Sequence, residues 1–185
     1  TRLDELAFGR LAGAELVKLI QPYLQPGGTH LDYGAGSGHI VRLLADGGWR
    51  VAAYDPSADR GAVLAGQVDG RAAFLGVVGP ESAEQYDVVL LFEVIEHILD
   101  ADLEASLARL RRFVKPGGRI IVSTPNNEDL DLASAYCPVS NRLFHRWQHV
   151  RSWSAATLRQ HLEKRGFRTV AAVTTNLMTS PRLGR

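Results

Sequence analysis

The stretch His30-Leu31-Asp32-Tyr33-Gly34-Ala35-Gly36-Ser37-Gly38 decides the fold. Thr29 to Tyr33 reads as a strand that ends on an acid, three glycines follow at alternate positions, and Ile40, Leu43 and Leu44 mark one face of a helix over about Ser37 to Asp46. Strand, glycine loop and helix in that order form a nucleotide-type loop. Glycine lets a backbone approach its ligand closely, and the first N–H groups of the helix favour an anionic group by about 0.3–1 kcal/mol.

Outward from this unit, short Val/Ile/Leu runs alternate with helical patterns, as expected for βα repeats and a parallel sheet buried on both faces. Upstream, Leu11, Leu16, Leu19 and Ile20 predict a flanking helix that stops at Pro22, before the turn Pro26-Gly27-Gly28. Downstream, Gly47-Gly48 ends the first βα unit and Arg50 to Tyr54 is the second strand. Ser57 to Gly70 is read as a helix and Ala72 to Leu75 as the third strand. Tyr86 to Phe92 is the central strand, since five consecutive apolar residues follow Asp87. Leu103, Leu107, Leu110 and Val114 trace a helix face, and Lys115-Pro116-Gly117-Gly118 turns the chain into strand Arg119 to Ser123. Leu158 and Leu162 predict a last helix stopped by Gly166, with a sixth strand over Arg168 to Thr175.

The ligand can be narrowed from the same residues. A dinucleotide loop has Gly-x-Gly-x-x-Gly, and here the third position is His39, which disfavours a nicotinamide cofactor. Asp32 repels phosphate but welcomes a sulfonium or ammonium; S-adenosylmethionine carries both. Asp55, at the end of the second strand, is placed to accept from both ribose hydroxyls, and hydrogen bonds to charged groups contribute about 1.5–3 kcal/mol. The structural alternative is a surface turn acid.

These residues, with Phe92-Glu93 at the end of the fourth strand and the Lys115-Pro116-Gly117-Gly118 run, resemble the class I S-adenosylmethionine-dependent methyltransferases over about residues 25 to 175. The resemblance implies a Rossmann-like, doubly wound, mostly parallel α/β sheet of six to seven strands. It implies cofactor binding by Asp32, Tyr33, Gly34, Ala35, Gly36, Gly38, Asp55, Pro56, Phe92 and Glu93. Gly76-Val77-Val78 stands where many relatives carry an acid for adenine, so recognition there would fall to the backbone.

Glu93, Glu96 and His97 are spaced to share one face of a helical turn at the carboxyl end of the fourth strand, where open α/β sheets bind ligands. His97, His149 and Glu93 are therefore the expected catalytic residues, with a histidine taking the acceptor's proton. Capping or bridging the next helix is the structural alternative for Glu96 and His97. The run Glu93-x-x-Glu96-His97 followed by His149-x-x-x-Trp153-Ser154 is similar to the metal-site pattern of small-RNA 3′-terminal 2′-O-methyltransferases, in which Glu93, Glu96, His97 and His149 would hold a divalent ion. Quinone O-methyltransferases, which the chain also resembles, carry an equivalent run without metal, so we commit no metal ion.

Residues 139–168 hold seven Arg or Lys against Glu163, with Phe144, Trp147 and Trp153 interleaved. Such a stretch can stack on a base or flat acceptor, but the commoner explanation is a solvated helix face plus core aromatics. About residues 126–152 we expect a lid or acceptor-side insertion.

The 185 residues fit one domain, 1–185, with 45% hydrophobic and 22% charged residues and a net charge of +1, which excludes disordered classes and any global polyanion-binding field. The longest apolar stretches, Val88 to Phe92 and Ile120 to Val122, are too short for a membrane helix, so no membrane insertion is expected. The single Cys137 and the acidic Asp4 and Glu5 point to a reducing cytoplasm. Thr1 in place of Met makes us expect a longer natural chain. Function then reads as methyl transfer to an O or N of a small or medium acceptor. RNA is the alternative acceptor, a catalytically silent cofactor-binding module the alternative class, and oligomeric state is left open.

Overall fold

A computed structural model of the chain describes residues 8–177; Asp4 and Glu5 lie outside them. In chain order the elements are α1 (Phe8–Leu11), α2 (Gly13–Ile20), a 3₁₀ turn (Gln21–Tyr23), β1 (Thr29–Tyr33), α3 (His39–Asp46), β2 (Arg50–Tyr54), α4 (Ala58–Val68), β3 (Phe74–Val77), β4 (Tyr86–Phe92), α5 (Asp100–Phe113), β5 (Val114–Ser123), β6 (Ser134–Cys137), β7 (Arg142–His145) and α6 (Ala155–Glu163).

Five strands form one sheet in the order β3-β2-β1-β4-β5, every neighbouring pair parallel. The doubly wound α/β class therefore holds. Leu31, Val51, Val88, Val89 and Leu90 are fully buried because helices cover both faces, and burying a Val or Leu side chain contributes about 1.5–3 kcal/mol. One face packs on α2, α3 and α4 through Leu16, Ile20, Val41, Leu44, Leu64 and Val68. The other packs on α5 through Leu103, Leu107, Leu110 and Phe113.

Several sequence expectations change. The sheet has five strands rather than six or seven: among the described residues 168–175 pair with nothing and are mostly exposed, Val170 at 81%. Phe113, not Val114, completes the buried face of α5, because the helix ends one residue earlier and Val114 already belongs to β5. In the flanking helix Ala12, Gly13, Leu16 and Ile20 face the core while Leu11 and Leu19 are exposed; the break at Ala12 turns the two short helices against each other. β3 runs two residues later than expected, to Val77, which puts Gly76 and Val77 inside the strand.

The Lys115-Pro116-Gly117-Gly118 run is a bulged start of β5 at the amino end of the sheet, with Gly117 at φ +77°. Lys115 Nζ stands 2.8 Å from Asp87, which also accepts from the Thr29 amide, and these bonds hold the Asp87 carboxyl down at about 2. The motif thus pins β5 to β1 and β4, far from the strands' carboxyl ends. No described helix is long and apolar enough to cross a membrane.

Candidate active site

The strand order reverses between β1 and β4, so the crevice of this sheet lies above their carboxyl ends. The loop after β1 forms one wall. Gly34, Gly36 and Gly38 all adopt positive φ, at +90°, +54° and +82°. At Gly34 a Cβ would come within 2.5 Å of Val94 Cγ2, so glycine is what lets the loops after β1 and β4 touch. At Gly36 a Cβ would meet nothing within 4 Å; this glycine borders open space.

The loop's amides are already engaged. Those of Gly34 and Ala35 donate to Tyr54 O, that of Gly38 to Ala35 O, and that of Gly36 to Asp55 Oδ2 at 2.8 Å. The other Asp55 oxygen accepts from the Ser57 amide at 2.9 Å. A phosphate would find those four N–H groups occupied, which separates this loop from a phosphate cradle. Below it, Asp32 is 3% exposed, and burial, followed by repulsion from Asp55, raises its carboxyl to about 7. A buried acid of this kind fits a ligand that brings a positive charge.

The remaining predicted cofactor residues divide. Phe92 ends β4 in the core, and Pro56 is exposed on the rim. Tyr33 is buried against Tyr54 and Phe113, so its ring belongs to the core and its backbone is what remains for the crevice.

The loop after β4 forms the second wall, and here the helical-turn expectation needs correction. Glu93 has φ +53°, outside the turn that the His97 amide closes on Val94 O. The run from Glu93 to His97 is therefore not one continuous helical turn. Glu93 accepts from Ser123 Oγ at 2.8 Å, whereas Glu96 and His97 stand with His149 in a group whose ligand-capable atoms lie within 4.8 Å of one another. Glu96 is 1% exposed; burial, then repulsion from Glu93, pushes its carboxyl to about 8. One of its oxygens accepts from Thr124, and the other, Oε1, is buried without a partner. Burial raises Glu93 as well, while desolvation, followed by the charge of His149, lowers His97. An orphaned carboxylate oxygen beside two imidazoles fits a divalent ion by donor type. Three of the four residues in the RNA-enzyme pattern form this close group, while Glu93 is bonded to Ser123 and acts on Glu96 and His149 through its charge.

Residues 127–152 leave the sheet and return. Asn126 pairs with Trp153, the Asn127 amide donates to Trp153 O, and Asn126 Oδ1 accepts from the Ala155 amide. Ser154 and Thr157 form a reciprocal cap that starts α6 at this point. Inside the excursion β6 and β7 pair as an antiparallel hairpin. Two of the seven basic residues are tied to the body: Arg151 to Asp100 and Ile95 O, Arg165 to Glu104. Trp153 is buried, while Phe144 and Trp147 are exposed.

Glu128 escaped the sequence reading. Its carboxylate lies between His145 and His149, with Oε2 2.5 Å from His149 Nδ1. The signal available was its place just past the carboxyl end of β5, where functional groups of such sheets collect.

The chain matches the family described as "Methyltransferase domain" over residues 4–172. It belongs to that family. Within it, the ubiquinone biosynthesis O-methyltransferase of Rhizobium etli is 36% identical over 124 residues, 63% of this chain and 48% of the relative. Its counterpart in Rhodopseudomonas palustris is 30% identical over 166 residues, 82% of this chain and 62% of the relative. The chain spans about half the length of the first relatives it matches. Among solved structures, the glycopeptide N-methyltransferase MtfA complexed with S-adenosyl-L-methionine superposes with a TM-score of 0.69 over 92% of this chain and 90% of that one, at 18% identity. A putative methyltransferase from Bacillus halodurans gives 0.62 over 83% and 69%, at 20%. These structural likenesses bear on the fold.

Proposed function

We propose that the chain is a class I S-adenosylmethionine-dependent methyltransferase acting on an oxygen or nitrogen of a small or medium acceptor. The observation that carries this reading is the buried Asp32 beneath a positive-φ glycine loop whose own amides are taken, a site that calls for a cation rather than a phosphate. Family membership supports it, and the relatives' names include both an O- and an N-methyltransferase.

In this reading the sulfonium cofactor supplies an activated methyl group when bound. Asp32 attracts its positive charge. The backbone of Tyr33, Gly34, Ala35, Gly36 and Gly38 shapes the floor, Asp55 accepts from ribose hydroxyls with its remaining lone pairs, and Pro56 and Phe92 bound the cleft. Glu93, His97 and His149 face the acceptor side. Alignment alone supplies about 7–11 kcal/mol of such a barrier, so a modest acid–base apparatus suffices. Residues 126–152 act as the acceptor-side lid of a single domain, 1–185.

Calorimetric titration with S-adenosylmethionine and S-adenosylhomocysteine tests the reading. Micromolar binding of both is expected, and binding of neither overturns it.

A second reading, metal-assisted methylation of an RNA 3′ end, is favoured by the unpartnered Glu96 Oε1 beside His97 and His149. It predicts Mn²⁺ or Mg²⁺ binding lost in Glu96→Ala, and nucleic-acid affinity that weakens steeply with salt.

A further inference from the structure

Proton positions in the excursion can be assigned one after another. The His149 amide donates to His145 Nδ1 at 3.0 Å, so the neutral His145 ring carries its hydrogen on Nε2. That Nε2 is buried without a hydrogen-bond partner and points toward Glu128 Oε1 at 3.5 Å. The other Glu128 oxygen lies 2.5 Å from His149 Nδ1, and a carboxylate only accepts, so Nδ1 is the protonated nitrogen of His149. Nε2 is left with a free lone pair. The same ring stands edge-on to His97, centroids 4.7 Å apart, in the group with Glu96. His145 and His149 stack at 4.6 Å, so Glu128 grips two parallel rings at once.

We propose that Glu128 is a positioning residue that fixes the tautomer of His149 and so presents Nε2 as the base for the acceptor. This rests on the methyl-transfer reading for what the base acts upon; the tautomer itself does not. In the step, the acceptor's O–H or N–H proton passes to His149 Nε2, making an imidazolium whose charge Glu128 offsets through Nδ1–H. The acceptor's lone pair forms the new bond to the methyl carbon, and the electron pair of the breaking C–S bond stays on sulfur, leaving a neutral thioether. Charge balances: one cation, the sulfonium, is consumed and another, the imidazolium, appears. Three groups, Glu128, His145 and His149, thus do from the excursion what a carboxylate–imidazole pair does in other acid–base sites.

The test is ¹⁵N-histidine NMR of the whole chain at a pH where the rings are neutral, with no acceptor needed. In the parent protein His149 is expected as the Nδ1–H form and His145 as the Nε2–H form. Glu128→Ala removes the acceptor and should release His149 to the Nε2–H form or a mixture, while Glu128→Gln, which keeps a carbonyl oxygen, should restore Nδ1–H. An Nε2–H His149 in the parent, or an Nδ1–H form that survives Glu128→Ala, overturns the proposal, and the parent spectrum decides this even if a variant fails to fold. Parallel titration with S-adenosylmethionine should be unchanged by Glu128→Ala to within about threefold. Loss of cofactor binding in the parent would instead remove the methyl-transfer reading and leave the tautomer result standing.

Discussion

The backbone amide of Gly36 donates to Asp55 Oδ2 at 2.8 Å, fastening the middle of the glycine loop to the end of β2. The acid therefore shapes the loop, in addition to the ribose-binding role proposed for it. Removing it should cost both the loop's preorganisation and the proposed ribose contacts. Asp55→Ala is expected to weaken S-adenosylmethionine binding by about 10–100-fold, taking about 1.5–3 kcal/mol for bonds to a charged group. Calorimetry giving the parent's affinity would end the assignment.

Gly34 sets how closely the two crevice loops approach. Ala at this position meets Val94 Cγ2 at 2.5 Å and must hold φ near +90°, a strain of about 1–3 kcal/mol before the clash is counted. Gly34→Ala should lower Tm by about 5–10 °C. Adding Val94→Ala should return the steric part and leave the backbone part, which thermal unfolding of single and double variants resolves.

Cofactor affinity should depend on pH through Asp32. Its carboxyl titrates at about 7 in the folded chain, and a cationic ligand prefers the ionised form. Below that pH a proton has to leave on binding, so affinity should fall by up to about tenfold per pH unit between 7 and 5. Asp32→Asn should bind more weakly and respond less to pH in that window. An equally steep decline in the variant would show that another group titrates.

Stability should respond to Glu96 with the opposite sense. Its folded value, about 8, lies above the ordinary carboxyl value of 4.5, so the stability carried by the neutral form is complete below about pH 4.5 and is lost as pH rises through 8. Glu96→Gln cannot ionise and keeps an oxygen for Thr124. It should raise Tm by about 5–10 °C at pH 8.5, with the gap closing near pH 5. A gap independent of pH would assign the gain to packing.

Local punctuation made much of this legible in the sequence. Gly34, Gly36 and Gly38 fall between an apolar strand and an amphipathic helix, and each of those signals spans only a few residues. The unbroken apolar run Val88 to Phe92 likewise announced the central strand, since only burial on both faces permits it. What stayed hidden depends on partners distant in the chain. Glu93, Glu96 and His97 have helical spacing, but Glu93 has a left-handed backbone and bonds to Ser123, thirty residues on, which helical spacing does not reveal. Arg168 to Thr175 have strand composition, yet neither edge strand of the sheet, β3 or β5, takes them up, and composition alone does not decide pairing. Glu128 looked like one acid among many until His145 and His149 folded over it.

The Asn126–Trp153 bridge sews shut both ends of the segment that carries Glu128, His145 and His149. Such a stitched segment behaves as a cassette. Doubling its length costs only about 0.6 kcal/mol of closure entropy, and none of its residues takes part in the five-stranded sheet. In the proposed reading, mutation there rewrites acceptor choice without touching the sheet beneath, and two chains that share this sheet would drift to different substrates by exchanging what lies between one asparagine and one tryptophan.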